Sequence, residues 1–315
     1  MAGIRMEGRF TPVLRPAICN SLVDWEDLSH VATVHTQYES LKSMVRKLLN
    51  FFLSPQKLVF KAWALTGAGS FRLRLDYDIF PRPHYAYCLY HAARQAQALG
   101  LTRISVMEFG VAGGNGLLAL EALAAQIEKE IPVEVEIWGF DTGEGLPEPV
   151  DYRDLPYIWQ QGFFKMDEAA LRARLGRSQL VLGDVKDTVP AFFDAHDAAP
   201  LGAAFLDLDF WSSTCNALRI FEAPDTSRLP RVFCYFDDVG SAEDGGLMND
   251  YVGQLASIRD YNTEHETKKI TQIAGMHHLR RIPAGWNEKI YVHHDFAHTR
   301  HDEYIHADKN RQLVI

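Results

Sequence analysis

The sequence predicts an α/β protein with a doubly wound, mainly parallel sheet that follows an N-terminal helical extension. From about residue 104 onward, short apolar runs alternate with segments of helical periodicity, which is the pattern of a parallel sheet with helices on both faces. A glycine-rich turn joins the first apolar run to the next helix. Two late apolar runs suit an antiparallel edge on the same sheet.

The elements follow from apolar periodicity and from glycine and proline breaks. A helix is predicted at 85–99, where Gly100 ends it. Strands are predicted at 104–109, 133–140, 180–182, 203–208 and 232–236, with helices at 117–130, 167–175, 189–195, 214–221 and 248–264. The two late strands are predicted at 277–282 and 289–294, joined by a turn at 283–285.

The domain boundary is predicted near the prolines at 81 and 83, which gives an extension at 1–83 and a sheet domain at 84–315. Residues 36–65 carry apolar side chains at three- and four-residue steps, and no acidic residue lies between 42 and 61. Such a basic amphipathic segment suits an anionic membrane surface. It equally suits a packed cap or dimer helix, which is the ordinary role of an apolar stripe, so a homo-oligomer is one expectation.

Composition restricts the function classes. The chain has 315 residues with 47% hydrophobic content, enough for a large core, and 41 acidic against 32 basic residues give a net charge of −9. This balance argues against a nucleic-acid partner. The four cysteines form no C-x-x-C pair, and there is neither a signal-like apolar run near the N-terminus nor an apolar stretch of membrane-spanning length. We therefore expect a soluble cytoplasmic protein.

The strongest motif is the glycine-rich turn after the first strand, where residues 107–116 read MEFGVAGGNG. Glycines let a backbone approach a ligand closely, and the next helix offers free amides. Ala112 stands where a dinucleotide fingerprint has its second glycine, and Glu108 precedes the turn. A carboxylate there would repel a pyrophosphate but would hold the amino group of S-adenosylmethionine. The predicted contacts are Glu108, Gly110, Gly113, Gly114 and Asn115.

Acids also end the second and third strands. Asp141, followed by Thr142, is placed to accept hydrogen bonds from ribose hydroxyls, and Asp184 lies where an adenine would bind. Each aspartate alone is also a common helix cap or turn residue. Three acids at three successive strand ends are harder to explain by capping alone. Glu108, Asp141 and Asp184, together with Thr142, are therefore assigned to the cofactor.

Four aspartates gather at the ends of the fourth and fifth strands: Asp207, Asp209, Asp237 and Asp238. Because these strands are expected to be neighbours, the carboxylates would repel one another unless a cation relieves them. Oxygen-only ligands favour Mg²⁺. The alternative is structural, with Asp209 capping the next helix and Asp238 starting a turn.

Taken in order, the motifs E-F-G-x-x-G-G-x-G, F-D-T-G-E-G-L-P, G-D-V, L-D-x-D-x-x-x-S-T and D-D resemble class I S-adenosylmethionine-dependent methyltransferases, and most closely the macrocin O-methyltransferase group. The resemblance covers about residues 105–239 and implies a Rossmann-like, seven-stranded sheet. It also implies that Asp207, Asp237 and Asp238 bind a metal and that Asp209, with Asp207, acts at the reacting hydroxyl of a sugar or natural product. The chain departs from the group at 208–211, where Leu-Asp-Phe-Trp stands, so the acceptor pocket is expected to differ.

Two further clusters have ordinary explanations beside functional ones. Trp159, Phe163, Phe164 and Trp211 are candidates for an acceptor pocket, although core packing explains each one equally well. The histidine-rich end, from 277 to 306, contains no H-E-x-x-H pattern, so strand ends and a polar tail explain it better than zinc.

The leading interpretation is therefore an S-adenosylmethionine-dependent, Mg²⁺-assisted O-methyltransferase. One alternative is a nucleotide-dependent oxidoreductase on the same kind of sheet, which the missing glycine and Glu108 oppose. The other is a non-catalytic binding or assembly protein that uses its basic N-terminal helices.

Overall fold

The computed structural model describes residues 59–60, 62–63, 66–240 and 246–306. The residues from Phe60 onward form one compact unit. Nearly all of the basic segment at 36–65 lies outside the described residues, so its role at a membrane, as a cap or at a dimer face stays a prediction. No helix within the described residues is long and apolar enough to cross a membrane.

One seven-stranded sheet organises the described chain, with the strand order β3-β2-β1-β4-β5-β7-β6. Strands β1 to β5 are parallel, and β7 runs antiparallel to both of its neighbours. The strands are β1 Arg103–Phe109, β2 Glu134–Asp141, β3 Gln179–Leu182, β4 Leu201–Leu206, β5 Arg228–Phe236, β6 Lys268–Gln272 and β7 Ile290–Asp295. This confirms the predicted doubly wound α/β class with its antiparallel edge.

Helices cover both faces of the sheet. They are α1 Phe71–Asp76, α2 Pro83–Ala98, α3 Asn115–Ile127, α4 Glu168–Arg172, α5 Val185–Ala195, α6 Trp211–Leu218, α7 Gly253–Glu264 and α8 Met276–Leu279. Short 3₁₀ turns lie at Tyr152–Asp154, Arg219–Glu222, Asp225–Ser227 and Gly285–Lys289.

The core forms two hydrophobic clusters, one on each face of the sheet. Because successive side chains of a strand point to opposite faces, Val106 belongs to one cluster and Met107 to the other. Helices α2 and α3 cover the first face, whereas α5 and α6 cover the second. All six residues of β4 are buried, as expected for a central strand of a parallel sheet.

Part of the predicted extension packs on the sheet domain. In α1, Phe71 and Leu75 are buried in the same cluster as α2, and Ser70 caps the helix by accepting a hydrogen bond from the amide of Leu73. The backbone amide of Phe71 also donates to the carboxylate of Glu130, at 2.7 Å to Oε1. The predicted boundary at 83/84 stays a proposal, but residues 71–83 are bound to the domain that follows.

The strand prediction at 277–282 is wrong. The structure forms helix α8 there, with Met276 buried and Leu279 exposed. The strand that pairs with β7 is instead β6, which the periodicity did not reveal because Ile270 is the only one of its five residues that is buried. An edge strand with one buried side chain has no alternation to detect. The long helix predicted at 248–264 is also shorter, since α7 begins at Gly253.

Candidate functional site

A cavity of about 380 Å³ opens at the carboxyl ends of the parallel strands. It lies beside β1, where the chain order reverses between β2 on one side and β4 on the other, and this is the usual ligand crevice of such sheets. The structure brings to its wall every residue predicted for the cofactor, the metal and catalysis: Glu108, Gly110, Gly113, Gly114, Asn115, Asp141, Thr142, Asp184, Asp207, Asp209, Asp237 and Asp238.

The glycine-rich turn is shaped by contacts that no larger residue would allow. Gly110 has φ +86°, and a Cβ there would lie 1.7 Å from the backbone oxygen of Asp207. Gly114 has φ +74° and begins α3 as its N-cap residue. The turn thus places the backbone of β1 directly against the end of β4, and it leaves the first amides of α3 facing the cavity side of the sheet.

Glu108 is a buried carboxyl group with one free oxygen. Its side chain is only 2% exposed, its Oε1 accepts a hydrogen bond of 2.7 Å from the hydroxyl of Tyr85, and its Oε2 has no partner within the described residues. A Cβ at Gly116 would lie 1.6 Å from Oε1, so this glycine makes room for the carboxyl group. Burial raises the pKa of Glu108 to about 8. The group therefore needs a cationic partner to be ionised at neutral pH.

Asp141 holds the glycine-rich turn. Its Oδ2 accepts hydrogen bonds of 2.9 Å from the amides of Val111 and Ala112, and its Oδ1 accepts one of 2.7 Å from Gly143. The residue lines the cavity, as predicted, but three backbone donors already use its carboxylate. The predicted contact with ribose therefore stays a proposal, and positioning of the turn is the role that the contacts support.

Asp184 and Thr142 show the same combination of cavity wall and local structure. Asp184 caps α5 by accepting a hydrogen bond of 2.9 Å from the amide of Lys186. The hydroxyl of Thr142 donates to the backbone oxygen of Gly145 at 2.9 Å. Capping, which the sequence left open as an alternative for the aspartates, is what the structure shows for Asp184.

We expect Asp141→Ala to lower both stability and cofactor affinity. Removing the carboxylate leaves three amides of the turn without their acceptor, so the free energy of unfolding should fall by about 1–3 kcal/mol in urea denaturation. Affinity for S-adenosylhomocysteine, measured by calorimetry, should fall by a similar amount. Asp167→Ala, which removes only the N-cap bond of α4 outside the cavity, should cost about 1 kcal/mol of stability and leave affinity unchanged. Unchanged stability of Asp141→Ala would contradict the anchoring role.

Three aspartates form a cluster in the wall of the same cavity. Leu206 of β4 pairs with Phe236 of β5, so Asp207 and Asp237 leave neighbouring strands side by side. Each of Asp207, Asp237 and Asp238 offers a carboxylate oxygen, and these oxygens lie within 4.8 Å of one another; no other group with such spacing is found within the residues that the structure covers.

The cluster is electrostatically strained. Burial, followed by the charge of Asp237, raises the pKa of Asp207 to about 6, and burial together with the neighbouring aspartates raises that of Asp238 well above its usual value. The pKa of Asp237 moves the other way: burial acts to raise it, but hydrogen bonds from Tyr235 and Lys289 lower it overall. A divalent cation would relieve this repulsion.

Lys289 and Tyr235 contact the aspartate cluster, and the sequence reasoning missed both. The ammonium group of Lys289 donates to the backbone oxygen of Asp237 at 2.5 Å and to its Oδ1 at 3.1 Å, and the hydroxyl of Tyr235 donates to the same Oδ1. Tyr235 could have been found, since residues two apart on a strand share a face. Lys289 could not, because only the pairing of Tyr235 with Ile290 brings it to the cluster.

Asp209 lies beside the three clustered aspartates but is not one of the group whose oxygens lie within 4.8 Å of one another. It is 6% exposed and has φ +59°, a left-handed conformation that is uncommon outside glycine but tolerated by aspartate and asparagine. Its backbone amide donates a hydrogen bond of 3.0 Å to Oδ2 of Asp238. Burial first, then the charges of Asp207 and Asp237, raise its pKa to about 7. It does not cap α6, whose N-cap residue is Phe210.

Only part of the predicted aromatic pocket is present. Trp159 and Phe164 line the cavity, whereas Phe163 and Trp211 are not part of its wall. The indole of Trp211 donates to Asp260 at 2.9 Å and lies 3.3 Å below the guanidinium of Arg153, so its contacts are structural.

The late histidines that the structure describes also have structural contacts. His293 is stacked on Phe221 at 4.1 Å and contacts the hydroxyl of Tyr261 at 3.0 Å. His298 lies 3.0 Å from the backbone oxygen of Asp225. These contacts agree with the interpretation of strand ends and a polar tail.

Comparison with known proteins gives no match to any protein-family model and none to a curated protein. Among solved structures, the chain is similar to CalS11, a calicheamicin methyltransferase (22% identity over 76% of this chain and 92% of that chain, TM-score 0.44). It is also similar to the O-methyltransferase NovP (13%, 65% and 76%, TM-score 0.44) and to the O-methyltransferase TomG from Streptomyces achromogenes, solved with S-adenosylmethionine (13%, 65% and 87%, TM-score 0.36). At these identities and TM-scores, the likeness identifies neither the reaction nor the acceptor of this chain.

Proposed function

We propose that this protein is an S-adenosylmethionine-dependent O-methyltransferase, assisted by Mg²⁺, that acts on a hydroxyl group of a sugar or other small natural product. The observation that carries the proposal is the arrangement of one cavity. Its wall combines a glycine-rich turn, a buried carboxyl group with an oxygen that has no partner among the described residues, and the clustered aspartates.

The part of the cavity wall around Glu108 fits S-adenosylmethionine because that ligand carries an ammonium group. Glu108 offers an unpartnered Oε2 that an ammonium group would satisfy, and Asp141 keeps the turn in place. A dinucleotide would instead bring a pyrophosphate to this turn, where Glu108 would repel it once ionised. This contrast favours the methyltransferase over the oxidoreductase alternative.

The aspartate cluster, which we assign to the methyl acceptor, fits an oxygen-preferring cation with Asp207, Asp237 and Asp238 as its ligands. When bound there, Mg²⁺ would lower the pKa of an acceptor hydroxyl. In the transfer itself, the sulfur–methyl bond breaks as the oxygen–methyl bond forms, and the hydroxyl proton passes to a base. Asp209 is buried in the same wall with a pKa raised to about 7, which suits a general base at neutral pH.

Part of the cavity wall is apolar. Leu146, Pro147, Trp159 and Phe164 line it, and an aromatic face stacks well on a sugar or aryl ring. Alignment of two held reactants would supply much of the rate.

A ligand-binding experiment tests the function first. Calorimetry with S-adenosylhomocysteine, NAD and NADP should show binding of the first alone, because only that ligand brings an ammonium group to Glu108. Binding of NAD or NADP alone would favour the oxidoreductase, and binding of none of the three would favour a non-catalytic protein.

The affinity for S-adenosylhomocysteine should depend on pH through Glu108. Its pKa of about 8 means that the free protein holds a proton on this group at pH 6–7, and binding of an ammonium group releases that proton. Affinity should therefore rise with pH, by up to about tenfold per unit, until about pH 8. Calorimetry in buffers of different ionisation enthalpy should detect the release of nearly one proton at pH 6.5. Glu108→Gln should bind more weakly, with a flat pH profile, whereas the same slope in both proteins would exclude Glu108 as the source.

A further inference from the structure

Arg82 lines the acidic cavity, and it has no ionic partner among the residues that the structure describes. It is the residue just before α2, and every other charged residue lining the cavity within the described chain is an aspartate or a glutamate. Within the described residues, the side chain of Arg82 makes neither a hydrogen bond nor an ion pair, although its backbone oxygen accepts a hydrogen bond from the amide of Ala86. Its guanidinium carbon lies 5.0 Å from the centre of the Tyr85 ring. A guanidinium group usually forms charged hydrogen bonds, so it is available to an anionic ligand.

Tyr85 contacts both this cation and Glu108. One face of the ring lies against Arg82, and its hydroxyl donates to Oε1 of Glu108 at 2.7 Å. The charge of Arg82 acts on Glu108 and on Asp207, since it lowers the pKa of both against the larger effect of burial. Although the groups are that near, Arg82 forms no salt bridge with Glu108 or with Asp207.

Within the described residues, the guanidinium of Arg82 has no ionic partner and Oε2 of Glu108 has no hydrogen-bond partner, and both side chains contact Tyr85. A cation and an ionisable carboxyl group placed in this way match a ligand that carries a carboxylate and an ammonium. The α-amino acid end of S-adenosylmethionine carries an ammonium and a carboxylate on the same carbon. Resting on the proposed function, we propose that Arg82 binds the carboxylate of the methionine part of the donor, while Glu108 binds its ammonium. Arginine suits this role because its planar fork binds a carboxylate through two parallel hydrogen bonds.

Three ligands distinguish the contribution of the ammonium from that of the carboxylate. S-adenosylhomocysteine carries both, S-adenosyl-3-thiopropylamine keeps the amine but lacks the carboxylate, and 5′-methylthioadenosine lacks both. Arg82→Met should lower the affinity for S-adenosylhomocysteine by about 10- to 100-fold, the loss expected for charged hydrogen bonds. Its affinities for the other two ligands should be unchanged. Glu108→Gln should weaken both amine-bearing ligands and spare 5′-methylthioadenosine. Calorimetry on the full chain measures all nine affinities.

Matched variants show whether a loss comes from the charge pattern or from damage to the fold. Arg94→Met removes an exposed arginine of the same helix, outside the cavity, and should change no affinity. Arg82→Lys keeps the charge without the fork and should give a smaller loss, again confined to S-adenosylhomocysteine. Circular dichroism confirms that each variant is folded, and if Arg82→Met fails to fold, the affinities of Arg82→Lys decide the question.

The outcomes keep this inference apart from the function on which it rests. If Arg82→Met binds S-adenosylhomocysteine as the wild type does, or loses all three ligands equally, the carboxylate assignment is wrong. Unchanged affinity with a raised KM for the acceptor would also overturn it and would place Arg82 at an anionic acceptor. If the wild type binds none of the three ligands, the proposed function itself fails.

Discussion

Asp209→Asn is expected to reduce turnover by about 10²- to 10⁴-fold, the contribution typical of a general base. Asn has nearly the same size and tolerates the left-handed backbone at this position, so the change removes the proton acceptor without straining the chain. The amide of residue 209 still donates to Asp238. We therefore expect affinity for S-adenosylhomocysteine and binding of Mg²⁺ to survive while kcat falls.

The measurement is steady-state kinetics with a hydroxylated acceptor, together with calorimetry for both ligands. Asp260→Asn is a suitable control because Asp260 binds Trp211 and does not line the cavity, so its kcat should be unchanged. Wild-type turnover by Asp209→Asn would show that another group takes the proton.

Removal of divalent metal should abolish activity on the acceptor, and Mg²⁺ or Mn²⁺ should restore it. The reason is the cluster of Asp207, Asp237 and Asp238, whose close oxygens suit a hard cation. Affinity for S-adenosylhomocysteine should largely survive in EDTA, because Glu108 and the glycine-rich turn do not belong to the cluster. Asp238→Asn should weaken Mg²⁺ binding and lower turnover together. Full turnover by dialysed, metal-free protein in EDTA would show that the aspartates are structural.

A stability measurement tests the same site without activity. Asp207 and Asp209 have pKa values raised to about 6 and about 7, so the folded protein binds their protons more tightly than the unfolded chain does. The stability that this gives is fully present below about pH 4 and is lost as pH rises through 6 to 7. Mg²⁺ would replace the proton on its ligand Asp207, and its charge would lower the pKa of the neighbouring Asp209, so it should raise the melting temperature more at pH 8 than at pH 5.5. In Asp238→Asn this pH-dependent gain should shrink, and a gain independent of pH would argue against these ligands.

The arrangement of the candidate site could be predicted because it depends on strand ends. The carboxyl ends of parallel strands meet at one edge, so Glu108, Asp141 and Asp207 had to lie near one another once β1, β2 and β4 were recognised. The same reasoning brought Asp237 and Asp238 to that edge. The central strands were recognisable because burial on both faces makes them continuously apolar.

The roles of individual groups could not be predicted in this way. Asp141 has the spacing of a ribose ligand, but the fold points three backbone amides at it. Asp184 proved to be a helix cap, and Trp211 to be a partner of Arg153 and Asp260. A side chain's role depends on which groups from other elements reach it, and sequence spacing does not contain that information.

By itself, then, the sequence determined the doubly wound α/β class, the glycine-rich turn and the edge of the sheet at which the carboxylates collect, because these depend on local periodicity and strand order. Only the tertiary structure determined the pKa values of those carboxylates and which basic side chains lie near them. Burial raises the pKa of Glu108 to about 8, antiparallel pairing brings Lys289 to Asp237, and Tyr85 contacts both Arg82 and Glu108. Desolvation and contacts between distant elements exist only in the folded chain, so the pKa values that depend on them could not be predicted from sequence spacing.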